Sequence, residues 1–102
     1  MYEIRATDSA GRDLDEICNY LVNVLCNPLA LENLHAAIWK AYETLCDNPY
    51  AFPKCDDARL AKMGYRKCVL HGYLFVYSVD EAEHVIHVIR YFHGLQNYQG
   101  LL

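Results

Sequence analysis

The sequence predicts an α+β fold in which the elements follow the order β-α-α-β-β-β. Apolar residues recur at helical spacing over the first half of the chain, and after Gly64 they alternate with a period of two, as strands require. The two helical segments are separated by a short break, so we expect an antiparallel αα-hairpin packed on one face of a small sheet. With 102 residues and no linker or repeat, residues 1–102 are predicted to form one domain.

The first strand and the first helix are predicted from alternation, capping residues and an apolar stripe. Residues 2–6 alternate and contain β-branched and aromatic side chains, which is typical of a short strand. Thr7 or Asp8 can cap the helix that follows. The residues predicted to form its buried stripe are Ala10, Leu14, Ile17, Leu21, Val24 and Leu25.

The second helix is predicted over residues 29–47, after the pair Asn27-Pro28 ends the first. Its buried stripe is predicted to contain Leu31, Leu34, Ile38, Ala41, Tyr42 and Leu45. The segment DNPYAFPKCDD then contains two prolines and several turn-forming residues, so residues 47–57 are predicted to form a loop.

Three strands are predicted in the second half, at residues 65–70, 73–79 and 84–92. His71-Gly72 and the segment DEAE are short enough to connect them as hairpins. Gly94 is predicted to end the last strand. The tail is then predicted to dock on the domain or its partner through four apolar residues at helical spacing, namely Leu95, Tyr98, Leu101 and Leu102.

The strand predicted at residues 73–79 is apolar on both faces. One face carries Tyr73, Phe75 and Tyr77, and the other carries Leu74 and Val76. Because two helices can cover only one face, we expect part of the second face to be masked by another chain. The isolated protein is accordingly expected to be poorly soluble or self-associated.

Cysteine spacing and hydropathy argue against several classes of protein. The five cysteines are odd in number and include no C-x-x-C pair, so neither a disulfide framework nor a structural zinc site is predicted, and we expect buried thiols. His84 and His87 would point to opposite faces of a strand, which disfavours a metal site. No glycine-rich phosphate loop occurs, so no cofactor is expected. Without an 18-residue apolar run or a signal peptide, we expect a cytoplasmic protein that does not bind membranes.

The charges are unevenly distributed, although the net charge is only −4. Residues 54–71 contain five basic side chains, namely Lys54, Arg59, Lys62, Arg66 and Lys67. Arg66 and Lys67 would lie on opposite faces of one strand, which leaves two interpretations open: a solvated edge strand protected by charge, or a functional basic site preceded by a basic loop. Arg90 and His93 would also point to opposite faces unless their strand breaks near Phe92.

Taken together, these segments resemble the RelE/ParE superfamily of toxins from bacterial type II toxin–antitoxin systems. The resemblance covers the whole chain in the right order and rests on TDSAGRDLDEICNYL, the NP break, LCDNPYAFP, GYRK, YLFVYSV and VIRYFHGLQNY. It is most specific in the last forty residues. It implies a mainly antiparallel sheet, a cognate antitoxin as partner and a role in plasmid stabilisation.

The resemblance implies one of two activities. ParE-like members bind and poison DNA gyrase without chemistry of their own, whereas RelE- and YoeB-like members cleave mRNA on the ribosome with cationic and acid–base groups. In the nucleases an arginine commonly stands at the place of Leu74, and an aliphatic side chain cannot stabilise a phosphate. The tail RYFHGLQNY is closer to the ParE-type ending. The expected function is therefore gyrase poisoning without catalytic residues.

Two alternatives stay open. A ribosome-dependent endoribonuclease would use Arg66, Lys67, Arg90, His93 and Tyr98, whereas an inactive remnant would only bind its antitoxin. The residues expected to contact a partner are Lys54, Arg59, Lys62, Arg66, Leu74, Val76, Arg90, His93 and Tyr98. The expected assembly is a homodimer or a toxin–antitoxin heterotetramer.

Overall fold

The computed structural model describes residues 1–94 and 97–102, and it confirms the predicted α+β class and element order. The strands are β1 (Glu3–Ala6), β2 (Arg66–Leu70), β3 (Tyr73–Asp80) and β4 (Val85–His93). The helices are α1 (Asp8–Asn19), α2 (Pro28–Asp47) and α3 (Ala58–Lys62). A π-helical turn, Tyr20–Val24, extends α1, and a 3₁₀ turn, Tyr98–Leu101, lies near the C-terminus. Within the described residues, no helix is long and apolar enough to cross a bilayer.

The four strands form one sheet in the order β1-β4-β3-β2. The two hairpins make β2, β3 and β4 antiparallel, whereas β1 lies parallel to β4, as expected of a mainly antiparallel sheet. A β-bulge interrupts β4, because Val76 pairs with Arg90 while the next residue of β3, Tyr77, pairs with Val88. Ile89 is the extra residue, and it reverses the alternation of faces along β4.

The start of α1 follows the prediction, but its end does not. Thr7 caps the helix by accepting a hydrogen bond from the Ala10 N–H at 3.0 Å. In the π-helical turn, the Leu25 N–H donates to the Tyr20 carbonyl, five residues back. This wider turn rotates the following residues off the apolar stripe. Val24 and Leu25 are therefore 62% and 51% exposed, and their predicted burial is wrong.

The second helix matches its predicted stripe. Asn27 caps α2 through its side chain, and Pro28 occupies the first helical position. The stripe residues Leu34, Ile38, Ala41 and Leu45 are buried, with Leu31 and Tyr42 packed beside them. They contact the helix-covered face of the sheet through Cys68, Leu70, Phe75, Tyr77, Ile86, Val88 and Tyr91.

The second face of the sheet is covered by the chain itself, which corrects the expected masking by a partner. A second apolar cluster lies there, formed by Cys55, Leu60, Leu74, Val76, Phe92 and Tyr98, with Tyr65 and Leu102 packed against it. Its cover comes from α3 and the C-terminal 3₁₀ turn. Sequence patterning did not predict α3, since a helix of five residues is too short to show a periodic stripe.

The tail docks largely as predicted. Tyr98 is buried and Leu102 packs beside it, but Leu101 is mostly exposed. Leu95, the fourth predicted contact, lies outside the described residues. Gly94 follows β4 directly, and its N–H donates to the Gly72 carbonyl.

The cysteines are less uniformly buried than expected. Cys55 and Cys68 lie in the two apolar clusters, whereas Cys18 and Cys46 are half-buried and Cys26 is exposed. Burial raises the pKa of Cys68 to about 11, so this thiol stays protonated at neutral pH.

Candidate functional site

The strand register places two cations in one row on the second face of the sheet. Lys67 on β2 pairs with Val76 on β3, and Val76 pairs with Arg90 on β4. Because neighbouring strands are about 4.8 Å apart, the backbones of Lys67 and Arg90 lie about 10 Å from each other across Val76. We call these three residues the second-face row. The row contains two of the cations that the nuclease alternative would use to bind a phosphate.

Both cations of the row, however, are bound to carboxylates. The Arg90 Nε and Nη2 atoms donate to Asp13 Oδ2 and Oδ1 at 2.5 and 2.9 Å, which is a bidentate ion pair. Lys67 Nζ donates to Asp56 Oδ2 at 2.7 Å. These hydrogen bonds raise the pKa of Arg90 and of Lys67 above their ordinary values.

Arg66 lies on the opposite face from Lys67, as predicted, and its contacts are with the loop before α3. Its Nη1 atom donates to the Phe52 carbonyl at 2.7 Å, and its guanidinium lies 4.9 Å from the centre of the Tyr50 ring. Arg66 therefore anchors residues 50–52 against the sheet and is separated from the second-face row.

His93 and Arg90 border the same cavity, although their strand directs them to opposite faces. Since β4 continues through His93, the predicted orientation is confirmed. The cavity, of about 240 Å³, lies where β1 no longer covers β4, and Asp13 and Glu16 also line it. Arg90 and His93 therefore border one cavity although their side chains start on opposite faces of the sheet. The two carboxylates, however, make the cavity unfavourable for a phosphate.

Tyr98 is in the core of the second cluster. Its ring centre lies 5.9 Å from that of Phe92, and burial raises the pKa of its hydroxyl. Among the described residues the hydroxyl makes no hydrogen bond of ordinary geometry, and the neighbouring Cys55 thiol raises its pKa further. Tyr98 consequently stabilises the fold and is not exposed for proton transfer or base stacking.

The remaining predicted contacts divide into exposed and buried residues. Lys54, Arg59 and Lys62 are exposed, with Arg59 donating to the Gln99 carbonyl at 3.1 Å. Arg59 and Lys62 lie on α3, whereas the sequence analysis predicted a loop there. Leu74 and Val76 are only 6% and 0% exposed because the second cluster covers them, so neither can touch a partner in this conformation.

The predicted position of His84 in the last strand also needs a correction. His84 lies in the turn before β4 with a positive φ of 54° and stacks on Tyr2, so it is not a strand residue as expected. Among residues 1–94 and 97–102, no group of three or more His, Cys, Asp or Glu side chains is arranged to hold a metal ion.

Sequence reasoning missed both carboxylates of the row, Asp56 on Lys67 and Asp13 on Arg90, and Asp13 makes the larger set of contacts. Besides binding Arg90, its Oδ2 atom accepts a hydrogen bond from the Tyr91 N–H at 3.1 Å. A signal for it does exist in the sequence, since Asp13 lies three residues after Ala10 and four before Ile17, within the apolar stripe of α1. An acidic residue on a helix stripe that faces the core needs a buried partner.

A family model decides the identity of the protein. The model described as ParE toxin of type II toxin–antitoxin system, parDE, matches residues 4–98. The chain belongs to this family. The resemblance to the RelE/ParE superfamily is thereby confirmed, and this ParE-family protein is a toxin component of a type II toxin–antitoxin system.

Two solved structures share its fold. The toxin–antitoxin complex RelBE2 from Mycobacterium tuberculosis contains a chain that is 24% identical, with a TM-score of 0.64 over 90% of this protein and 96% of that chain. The chromosomal ParDE system from P. aeruginosa contains one that is 22% identical, with a TM-score of 0.67 over 91% of this protein and 96% of that chain. No curated protein matches the sequence significantly.

Proposed function

We propose that this ParE-family protein, acting as a single domain in the cytoplasm, inhibits growth by binding and poisoning DNA gyrase. Membership of the ParE family supports this target. The observation that carries the proposal is the state of the second-face row: Lys67 is bound to Asp56, and Arg90 is bound to Asp13. A toxin that acts by binding alone has no need of exposed phosphate-stabilising cations.

The chemistry of RNA cleavage explains why this arrangement favours a binding toxin. Attack by a ribose hydroxyl builds negative charge on the phosphate, and a nuclease must meet that charge with preorganised cations. Here Asp13 already neutralises Arg90 in bidentate geometry, and a phosphate would have to displace it. Leu74 stands where the nucleases commonly carry an arginine, and it is buried.

The other nuclease candidates also have structural contacts. Arg66 is bound to the Phe52 carbonyl on the opposite face of the sheet, and Tyr98 is buried beside Phe92. Moving either residue to Arg90 would require rearrangement of the loop before α3 or of the C-terminal turn. This separation supports a protein without a catalytic centre.

A cognate antitoxin is the proposed neutralising partner. The two structural relatives were determined as a toxin–antitoxin complex and as a toxin–antitoxin system, and this protein shares their fold. Exposed Lys54, Arg59 and Lys62 are proposed contacts for an acidic partner surface.

Expression without the antitoxin tests the proposal. We expect cell filamentation and induction of the DNA-damage response, and co-expression of the antitoxin should suppress both. Rapid loss of mRNA with arrest of translation would contradict the proposal, as would normal growth at a verified expression level.

A ribosome-dependent endoribonuclease is the second candidate, and one observation favours it. Arg90 and His93 border one cavity, so a cation and an acid–base group can approach the same ligand. If this function is correct, Arg90→Ala and His93→Ala should each abolish mRNA cleavage in a ribosome assay. The gyrase proposal expects no mRNA cleavage from the unaltered protein.

A further inference from the structure

We infer that Cys18 of α1 and His35 of α2 bind a zinc ion that links the two helices of the hairpin. The proposed function does not use this part of the molecule, so the zinc site is independent of which cellular target the toxin has. Sequence spacing did not predict the site, because the two residues lie 17 positions apart on different helices.

The thiol and the imidazole are already in contact. The Cys18 Sγ atom lies 3.6 Å from the His35 Nε2 atom. Of the five thiols, that of Cys18 is the one within hydrogen-bonding distance of a histidine in residues 1–94 and 97–102. Thiolate sulfur and imidazole nitrogen are donors that zinc prefers in proteins. The pair therefore offers two zinc ligands, one from each helix.

The separation of the two donor atoms suits a tetrahedral ion. Bonds of about 2.3 Å to sulfur and about 2.0 Å to nitrogen, at a tetrahedral angle, place the two donors about 3.5 Å apart. The observed distance of 3.6 Å matches this value. An ion held in a straight line between the two donors would need them about 4.3 Å apart, so linear coordination fits less well.

Buried neighbours hold both donors at the contact between the helices. Cys18 lies three residues before Leu21, and His35 lies three residues before Ile38. Leu21 and Ile38 are both buried in the helix-covered core. Residues three apart share a face of a helix, so the backbone of each donor is fixed by the packing of the next turn. Cys18 is half-buried and His35 is exposed, which leaves the pair accessible to an ion from solvent.

A carboxylate stands beside the pair. Asp15 lies three residues before Cys18, one turn away on the same side of α1, and it is exposed. Burial, and after it the charge of Asp15, raises the pKa of the Cys18 thiol, so Asp15 acts electrostatically on this position. Its carboxylate does not stand in a ligating position, but no ion pair among the described residues holds it. Rotation of the side chain would supply a third ligand, and water would fill the fourth position.

Zinc binding would exchange the thiol proton for the metal. The zinc–sulfur bond forms as the S–H bond of Cys18 breaks and the proton passes to solvent. His35 binds as the neutral imidazole, through Nε2, and no electron is transferred. The ion would then fasten the last turn of α1 to the second turn of α2.

Cobalt(II), a spectroscopic substitute for zinc, tests the site in the purified protein. The protein is freed of metal with a chelator, kept reduced and titrated with cobalt. Cobalt bound to a thiolate shows a charge-transfer absorption in the near ultraviolet, which a thiol hydrogen-bonded to an imidazole does not. We expect this absorption to saturate at one ion per chain and to disappear when zinc is added.

Single substitutions locate the ligands. Cys18→Ala and His35→Ala should each weaken zinc binding about tenfold or more. Cys26→Ala is the matched control, since Cys26 is an exposed thiol in the same hairpin, and it should leave the affinity unchanged. Zinc at about a hundredfold above its Kd should raise the melting temperature of the unaltered protein by roughly 10 °C, and both ligand variants should lose this shift.

Each other outcome overturns the inference. Absence of the charge-transfer absorption would show that the contact is a hydrogen bond alone. Equal zinc affinity of the unaltered protein and both ligand variants would show adventitious binding, and a loss confined to Cys26→Ala would assign the metal to that exposed thiol. One ion per two chains would show that a second copy completes the site. Should Cys18→Ala not fold, His35→Gln at the exposed position decides, because loss of the imidazole must weaken zinc binding.

Discussion

The Asp13 carboxylate binds the Arg90 guanidinium through two hydrogen bonds, and this pair joins α1 to the end of β4. The same carboxylate accepts a hydrogen bond from the Tyr91 N–H. It therefore provides an acceptor for a backbone group and for a side chain of β4, beyond Val88, where β1 no longer pairs with that strand. Asp13 of α1 thereby occupies the side of β4 on which no neighbouring strand pairs with residues 90 and 91. It also neutralises the cation that a nuclease of this superfamily would need.

Loss of Asp13 should destabilise the protein. Asp13→Ala leaves Arg90 and the Tyr91 N–H without their acceptor, at a cost of about 1–3 kcal/mol in the free energy of unfolding. Asp15→Ala is the matched control, since Asp15 is exposed on the same helix and gains the same helix propensity. Urea unfolding of both variants measures the difference. Equal stabilities would show that the Asp13 contacts contribute nothing net.

Replacement of Gly94 should destabilise the folded protein, whereas replacement of Gly11 should stabilise it. A Cβ atom at Gly94 would lie 2.7 Å from the Gly72 carbonyl oxygen, which is backbone and cannot move cheaply. We expect Gly94→Ala to lower the free energy of unfolding by about 1–3 kcal/mol. Gly11 has nothing within 4 Å of such an atom and lies in α1, so Gly11→Ala should raise it by about 0.5–1 kcal/mol. Thermal unfolding tests both predictions, a lower melting temperature for Gly94→Ala and a higher one for Gly11→Ala.

Removal of two buried tyrosine hydroxyls, one at a time, should change the stability of the protein differently. The Tyr91 hydroxyl is hydrogen-bonded to that of Tyr42, so Tyr91→Phe should destabilise the protein by about 0.5–1.5 kcal/mol. The Tyr98 hydroxyl makes no hydrogen bond of ordinary geometry among the described residues, so Tyr98→Phe should be neutral or stabilising. Tyr98→Phe should also remain fully toxic. A loss of toxicity in a stably folded Tyr98→Phe variant would support the nuclease alternative.

Alkaline pH should weaken the fold through two buried groups. Burial raises the pKa of Tyr77 from 10.0 to about 12 and that of Cys68 from 9.0 to about 11. The unfolded chain therefore releases these protons at lower pH than the folded protein does. Their stabilising effect is complete below about pH 9 and declines as the pH rises towards the folded-state values.

The urea midpoint measured between about pH 8 and about pH 11 tests this dependence. The unaltered protein should lose stability steadily, and Cys68→Ala should lose less over the same range. Cys26→Ala, at an exposed position, is the control and should follow the unaltered protein. A midpoint that rises with pH would be inconsistent with these buried, protonated groups.

Long-range periodicity predicted the fold well. The stripe of α2 spans enough residues for its period to be unambiguous, and the apolar run of β3 lies between two clear turns. Both match the structure. The π-helical turn and the bulge at Ile89 escaped prediction because each is a single-residue change in hydrogen bonding. Their effect is nevertheless large, since each rotates every later residue of its element.

The site was harder to predict because it depends on contacts between distant segments. The position of Arg90 on a strand follows from its neighbours, but its pairing with Asp13 joins residues 77 positions apart. The burial of Leu74 and Val76 depends in the same way on α3 and the 3₁₀ turn, which are too short to show a period. The expectation of an exposed second face failed for this reason.

The most direct test of the central claim is the amount of plasmid DNA that purified gyrase leaves cleaved in the presence of this protein. A gyrase poison predicts cleaved plasmid that increases with toxin concentration and disappears when the antitoxin is added first. Unchanged gyrase activity, together with cleavage of ribosome-bound mRNA by the same preparation, would contradict the account.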